Sequence, residues 1–177
     1  MRRFLFLLIV KFFHRGQKRK YTNEPYWTHP YAVGKILKHY GYKSLNIEIA
    51  YGHDLFEDTS CNYNLLVLLM RLIGYSKRSA LCVADGILDL SDVYTKEKYP
   101  SWNRKKRKEM EAERLALCSA DIQTIKVTDL THNSLSILKH DPGFSKTYQV
   151  EAYTLYEKLD RADSRIRSVL LSAIMMC

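Results

Sequence analysis

An all-α fold is predicted from three observations. Glycine (7) and proline (4) are scarce among the 177 residues, which argues against a sheet protein with many tight turns. Apolar residues recur at helical spacing, as at Val33, Ile36, Leu37 and Tyr40, the mark of a helix with one buried face. No stretch sustains the apolar–polar alternation of a strand. The length suits one domain with a real core, spanning residues 1–177.

Taken in order, the first helix is expected over residues 2–15 and buried. Met1-Arg2-Arg3 before an apolar run resembles the start of a signal peptide. Lys11 breaks that run, however, and no small-residue cleavage site follows it. The run is also far short of the ~20 apolar residues that span a bilayer. A peripheral membrane anchor is the other reading of this segment. Residues 14–25 read as a basic loop. The second helix is expected to begin at Pro30, because proline suits a first helical position, with Gly41 as its stop. His29 then lies just before that helix. The third helix is expected to start after Ser44, a candidate N-cap, and to run on through GHDLFEDT at 52–59.

Residues 63–73 are apolar almost all round and read as a buried helix. Residues 78–88 read as another helix, and 89–102 as an irregular connection. Asn103 should cap a charged helix from 104 to about 118. A long helix is expected over 121–138, a turn at Asp141-Pro142-Gly143, and two closing helices at 144–159 and 164–176. Tyr148, Tyr153 and Tyr156 are expected in the core, and His39 on an exposed face.

The formal charge is +9 and the pI about 9.3. A basic protein attracts polyanions such as nucleic acid, anionic membrane or phosphorylated small molecules, and charge alone does not choose among them. The run RKKRK at 104–108 reads as a solvated helix face. Cys61, Cys82, Cys118 and Cys177 include no CxxC pair and suggest neither a zinc site nor a disulfide framework. A reduced, cytoplasmic setting is expected. The Gly-rich loops of P-loop and dinucleotide-binding proteins are absent.

The chemistry is concentrated at 52–59. In a helix, His53 and Glu57 would share one face, and Asp54 and Asp58 another. Four ionisable groups on so short a stretch call for a cation or a substrate to compensate them. Asp129 is an acid within an apolar helix, four residues before Asn133. Such an acid is paired with a base or binds a metal. His29, His53, Asp54 and Asp129 make a mixed nitrogen and oxygen set. It suits Mn²⁺, Fe²⁺ or Zn²⁺ better than Ca²⁺ or Mg²⁺.

HRGQKRK at 14–20, EPYWTHPYAVGKIL at 24–37, GHDLFEDT at 52–59 and IKVTDLTHN at 125–133 together resemble the HD-domain metal-dependent phosphohydrolases. Within these, they are most similar to the RelA/SpoT-type alarmone hydrolases and their small stand-alone relatives. The resemblance covers about residues 10–140. It implies an all-α, single HD-domain helical bundle, with His29, His53, Asp54 and Asp129 holding one ion, usually Mn²⁺. It implies that Glu57 and Asp58 orient and deprotonate the attacking water. It implies that Asn133 lies near the substrate sugar and that Arg19, helped by Lys20, packs on the guanine base. The implied reaction removes the 3′-pyrophosphate from guanosine tetra- or pentaphosphate, giving GDP or GTP.

The segment 21–24 lacks the glycine common before Glu-Pro in this family, so another loop shape is expected there. His132 fills a slot often held by other residues. At this length no synthetase domain is expected. The other readings are an HD phosphohydrolase acting on another nucleotide, a nucleotide-binding HD module without turnover, and nucleic-acid binding through residues 104–108. Nucleic acid is not the expected partner, a membrane span is not expected, and a homo-oligomer is compatible with the sequence.

Overall fold

The computed structural model describes residues 1–43 and 45–175. Ser44, expected to cap the third helix, and Met176, expected to end the last, lie outside the described residues. Ten helices and no strand occur among the described residues. The all-α expectation is borne out. The chain divides into two units, Met1–Ser91 and Asp92–Cys177.

The first unit holds α1 (Arg2–Phe13), α2 (Thr28–His39), α3 (Leu45–Gly52), α4 (Leu55–Asp58), α5 (Tyr63–Leu72) and α6 (Lys77–Leu90). Helix α3 is its centre, with α1, α2 and α6 against it and α5 on α6. Two glycines permit the close approaches. A Cβ on Gly34 of α2 would meet the Tyr51 ring, 2.6 Å from Cδ1, and one on Gly52 would lie 2.5 Å from Ile87 Cδ1. Helix α1 is fixed by fully buried Phe6 and Val10. It is fixed also by Arg3, whose Nε donates to Glu48 Oε1 at 3.0 Å. Tyr75 Oη donates to the same carboxylate oxygen at 2.8 Å, so buried Glu48 is both paired and hydrogen-bonded, as a buried charge must be.

Four expectations for this unit are corrected. The stretch 52–59 is not one helix, because α3 stops at Gly52 and α4 starts at Leu55. The His53 ring takes up the Ala50 carbonyl at this break, through Nδ1 at 2.8 Å, and so satisfies an acceptor that the helix end leaves open. Helix α2 starts at Thr28, two residues before Pro30, so His29 lies inside its first turn rather than before it. Helix α1 is buried on one face only. The same is true of α5, which buries Leu66 and Met70 and exposes Leu68 and Leu72, because α6 covers a single side of it.

The second unit holds α7 (Arg104–Leu117), α8 (Ala120–His140), α9 (Pro142–Lys158) and α10 (Ser164–Met175). Helix α8 runs against α9 and α10, and α7 against α9. Caps explain the boundaries. Asn103 Oδ1 accepts from Lys106 N at 2.8 Å, as expected, and Ser119 Oγ accepts from Ile122 N. Asp141 Oδ1 accepts from Phe144 N at 3.1 Å, with Pro142 at the first helical position. The expected turn at 141–143 is therefore the capped start of α9. Tyr153 is exposed and Tyr148 and Tyr156 are half-buried, so these rings are not core residues. Within α7, buried Glu111 accepts from the backbone N–H groups of Val93 and Tyr94 and pairs with Arg114 at 2.8 Å. That carboxylate holds the connection 91–103 to the helix that follows it.

Candidate metal centre

The first unit brings His29, His53 and Asp54 together. Both rings present Nε2 to the same carboxylate oxygen, Asp54 Oδ2, at 3.1 Å from His53 and 3.7 Å from His29. The ring centroids are 5.1 Å apart and the planes cross at 73°. Both histidines are buried. A carbonyl oxygen only accepts, so His53 Nδ1 must be the donor to Ala50. In the neutral ring the lone pair is then on Nε2, facing Asp54. Two acceptors at 3.1 Å repel unless a proton or a cation lies between them. A backbone carbonyl fixing the tautomer of a ligating imidazole is a recurring feature of metal sites. The donor set fits a divalent transition ion.

Asp54 Oδ2 also accepts from Tyr26 Oη at 3.0 Å. Burial, with the charges of Asp54 and Asp58 added, raises the Tyr26 pKa far above that of a free phenol, so Tyr26 stays a donor. Asp58 lies on α4, four residues after Asp54, and its N–H bonds the Asp54 carbonyl at 2.9 Å. Asp58 is an exposed residue, but desolvation of its carboxyl by the surrounding chain and the Asp54 charge raise its pKa, against the opposing effects of Tyr26, His14 and His53. Glu57 is exposed on the same turn.

The loop before α2 is shaped by Asn23, whose φ is +58°. Asparagine tolerates this left-handed region better than other non-glycine residues. Asn23 thus supplies the conformation for which glycine is usual, and the loop closes with Arg19 N–H on the Glu24 carbonyl at 2.8 Å. The Arg19 guanidinium lies 5.9 Å from the Tyr26 ring centroid. Lys20 is exposed and donates to Tyr21 Oη at 3.1 Å.

In the second unit, Asp129 is buried on α8. Its Oδ1 accepts from Asn133 Nδ2 at 2.7 Å, and its Oδ2 lies 3.2 Å from Lys126 Nζ. Asn133 therefore orients this carboxylate, a contact that its i+4 spacing allowed. Asp129 of the second unit, like His29 and His53 of the first, is buried and offers one ligand atom.

No family model matches the chain, and no curated protein does. A solved structure of a metazoan ortholog of SpoT, described as hydrolysing ppGpp and playing a role in starvation responses, matches with a TM-score of 0.79. The match covers 97% of this chain and 93% of that one at 21% identity. The fold is the all-α HD-domain fold.

Two residues beside the HD histidines carry no role in the sequence reading. Tyr26, within EPYWTHP, bonds Asp54 and lies edge-on to His29, with centroids 6.0 Å apart. His14 is buried and stacks on Tyr26 at 5.0 Å. Its Nδ1 bonds Gln17 Oε1 at 2.6 Å, and Gln17 Nε2 donates to the Asp58 carbonyl at 2.5 Å. For His14 the signal is the HRGQ tetrapeptide at 14–17, which puts His14 and Gln17 in one turn. The basic run of α7 belongs to the second unit. Arg104, Lys105 and Lys108 line a cavity of about 560 Å³ with Lys146 and Glu151 of α9. Arg104 holds Glu151 through two bonds of 2.6 and 2.9 Å.

Proposed function

We propose that residues 1–177 act as one metal-dependent phosphohydrolase that removes the 3′-pyrophosphate from guanosine tetra- or pentaphosphate. The observation that carries the reading is the convergence of His29 and His53 Nε2 on one Asp54 oxygen, with the His53 tautomer set by Ala50. The HD-domain fold supports it, as does the description of the SpoT ortholog that shares the fold as a ppGpp hydrolase.

In this reading His29, His53, Asp54 and Asp129 hold the ion, Mn²⁺ by resemblance. An ion held there would supply Lewis acidity, which would acidify water and offset phosphate charge. Glu57 and Asp58 orient the attacking water and accept its proton. A carboxyl whose pKa is raised, as at Asp58, is better suited to exchanging protons near neutral pH than an ordinary one. Tyr26 and Asn133 hold Asp54 and Asp129 in place. Arg19 supports the guanine base and Lys20 the same loop, while Asn133 stands near the sugar. Nucleotide, rather than nucleic acid, is the partner, and a reduced cytoplasmic setting fits the free thiols of Cys61, Cys82 and Cys118.

The test is incubation of the purified protein and Mn²⁺ with guanosine tetraphosphate, GTP, dNTPs, NADPH and nucleoside monophosphates. Pyrophosphate release from the tetraphosphate is expected, with loss of at least a hundredfold in Asp54→Ala. Turnover of monophosphates alone would sink the reading. Full activity in Glu57→Ala would remove Glu57 from the water-activating role.

A further inference from the structure

Helix α1 shows apolar side chains on both faces. Phe6 and Val10 are fully buried against the first unit. On the other side Phe4, Leu8 and Phe12 are 63%, 43% and 58% exposed. These three follow at i, i+4 and i+8 and form one stripe along the solvent face. The helix cannot roll to hide it, because Phe6, Val10 and the Arg3–Glu48 ion pair hold the inner face in place. A helix resting on a soluble core ordinarily turns charged residues outward. A contiguous exposed apolar stripe of this kind marks a contact surface.

The charge around the stripe selects the partner. Residues 1–23 contain seven Lys or Arg and no Asp or Glu. Arg15 lies on the stripe's own face, its guanidinium 4.3 Å from the Phe12 ring centroid. Lys11 flanks the stripe with its Nζ 3.7 Å above half-buried Trp27. Exposed Lys18 and Lys20 follow in the next loop. Arg2 donates to the Gly74 carbonyl at 3.1 Å, which brings the start of α1 to the end of α5, where Leu72 is exposed.

We propose that the outer face of α1 docks on an anionic membrane surface. The stripe enters the headgroup boundary, and the basic residues around it meet lipid phosphates and carboxylates. A second copy of the chain would cover the stripe only by bringing the same basic residues against each other. Nucleic acid would satisfy the charge and leave three large apolar side chains wet.

The experiment is co-sedimentation of the full chain with vesicles of about 30% phosphatidylserine in phosphatidylcholine, and with phosphatidylcholine alone. Partitioning at least tenfold stronger on the anionic vesicles is expected, weakening as salt rises. The triple variant Phe4→Ser/Leu8→Ser/Phe12→Ser leaves the net charge unchanged. It should lose at least tenfold in partitioning while keeping its helical circular dichroism and thermal transition. The single variant Leu8→Ser, which keeps two of the three side chains, should show a smaller loss in the same direction. Equal binding by the triple variant would overturn the proposal, since charge alone would then account for the binding. Absence of wild-type binding to either vesicle would overturn it too, as would a wild-type dimer that the triple variant dissociates.

Discussion

At the scale of single residues, burial decides reactivity. Cys61 is buried, and this pushes its thiol up to about 11, whereas Cys82 is exposed. Alkylation requires the thiolate. With iodoacetamide at pH 8, mass mapping should show Cys82 labelled first. Cys61 should react roughly a hundredfold more slowly until the chain is unfolded. Comparable rates at the two cysteines would contradict the burial of Cys61. Gly34 is a second case, because α2 approaches α3 closely enough that a methyl group there would run into the Tyr51 ring. Gly34→Ala should cost about 1–3 kcal/mol of stability, measured by urea denaturation, although alanine is the better helix former. The same contact sets the distance from His29 on α2 to His53 after α3, so the variant should also weaken metal binding.

At the scale of elements, the connections before helices depend on single carboxylates. Asp92 opens the connection to α7, and its Oδ2 lies 2.8 Å from Lys108 Nζ. Burial acts to raise its pKa, but Lys108, Lys126 and Arg114 outweigh this and the net shift is downward. A carboxyl whose folded pKa is depressed contributes stability above its unfolded pKa of about 3.9 and loses it as pH falls through the folded value. Thermal melts of the wild type should therefore fall more steeply below about pH 4 than those of Asp92→Asn, and the difference should vanish at the lowest pH. Parallel acid limbs for the two proteins would contradict this sign. Helices α6 to α10 were legible in outline because a cap such as Asn103 acts within one turn. The break after Gly52 was not. The apolar spacing of 45–58 is continuous, and only Ile87 across from Gly52 and the bond from His53 to Ala50 reveal the stop.

At the scale of the whole molecule, the proposed ion is also a stabilising ligand. Binding to the folded state at a hundred times Kd contributes about 2.7 kcal/mol. At about 2–4 °C per kcal/mol for a chain of this size, chelation should lower Tm by roughly 5–11 °C. The His53→Ala variant should melt at the same temperature with and without chelator. A wild type unmoved by chelation, and free of metal by elemental analysis, would contradict the ligand set. The sequence offers His29, His53, Asp54 and Asp129 as candidates, because their residue types are restricted and their spacing is rare.

The sequence by itself determined the all-α class, most helix boundaries and the identities of the groups that could bind a metal. Those properties follow from side-chain chemistry and from interactions a turn or less along the chain. Only the tertiary structure decided that two imidazole nitrogens face one Asp54 oxygen, that Tyr26 and His14 stand behind it, and that α1 turns Phe4, Leu8 and Phe12 outward. These depend on which face of each helix meets a neighbour. An apolar residue reads the same along the chain whether it is covered or bare.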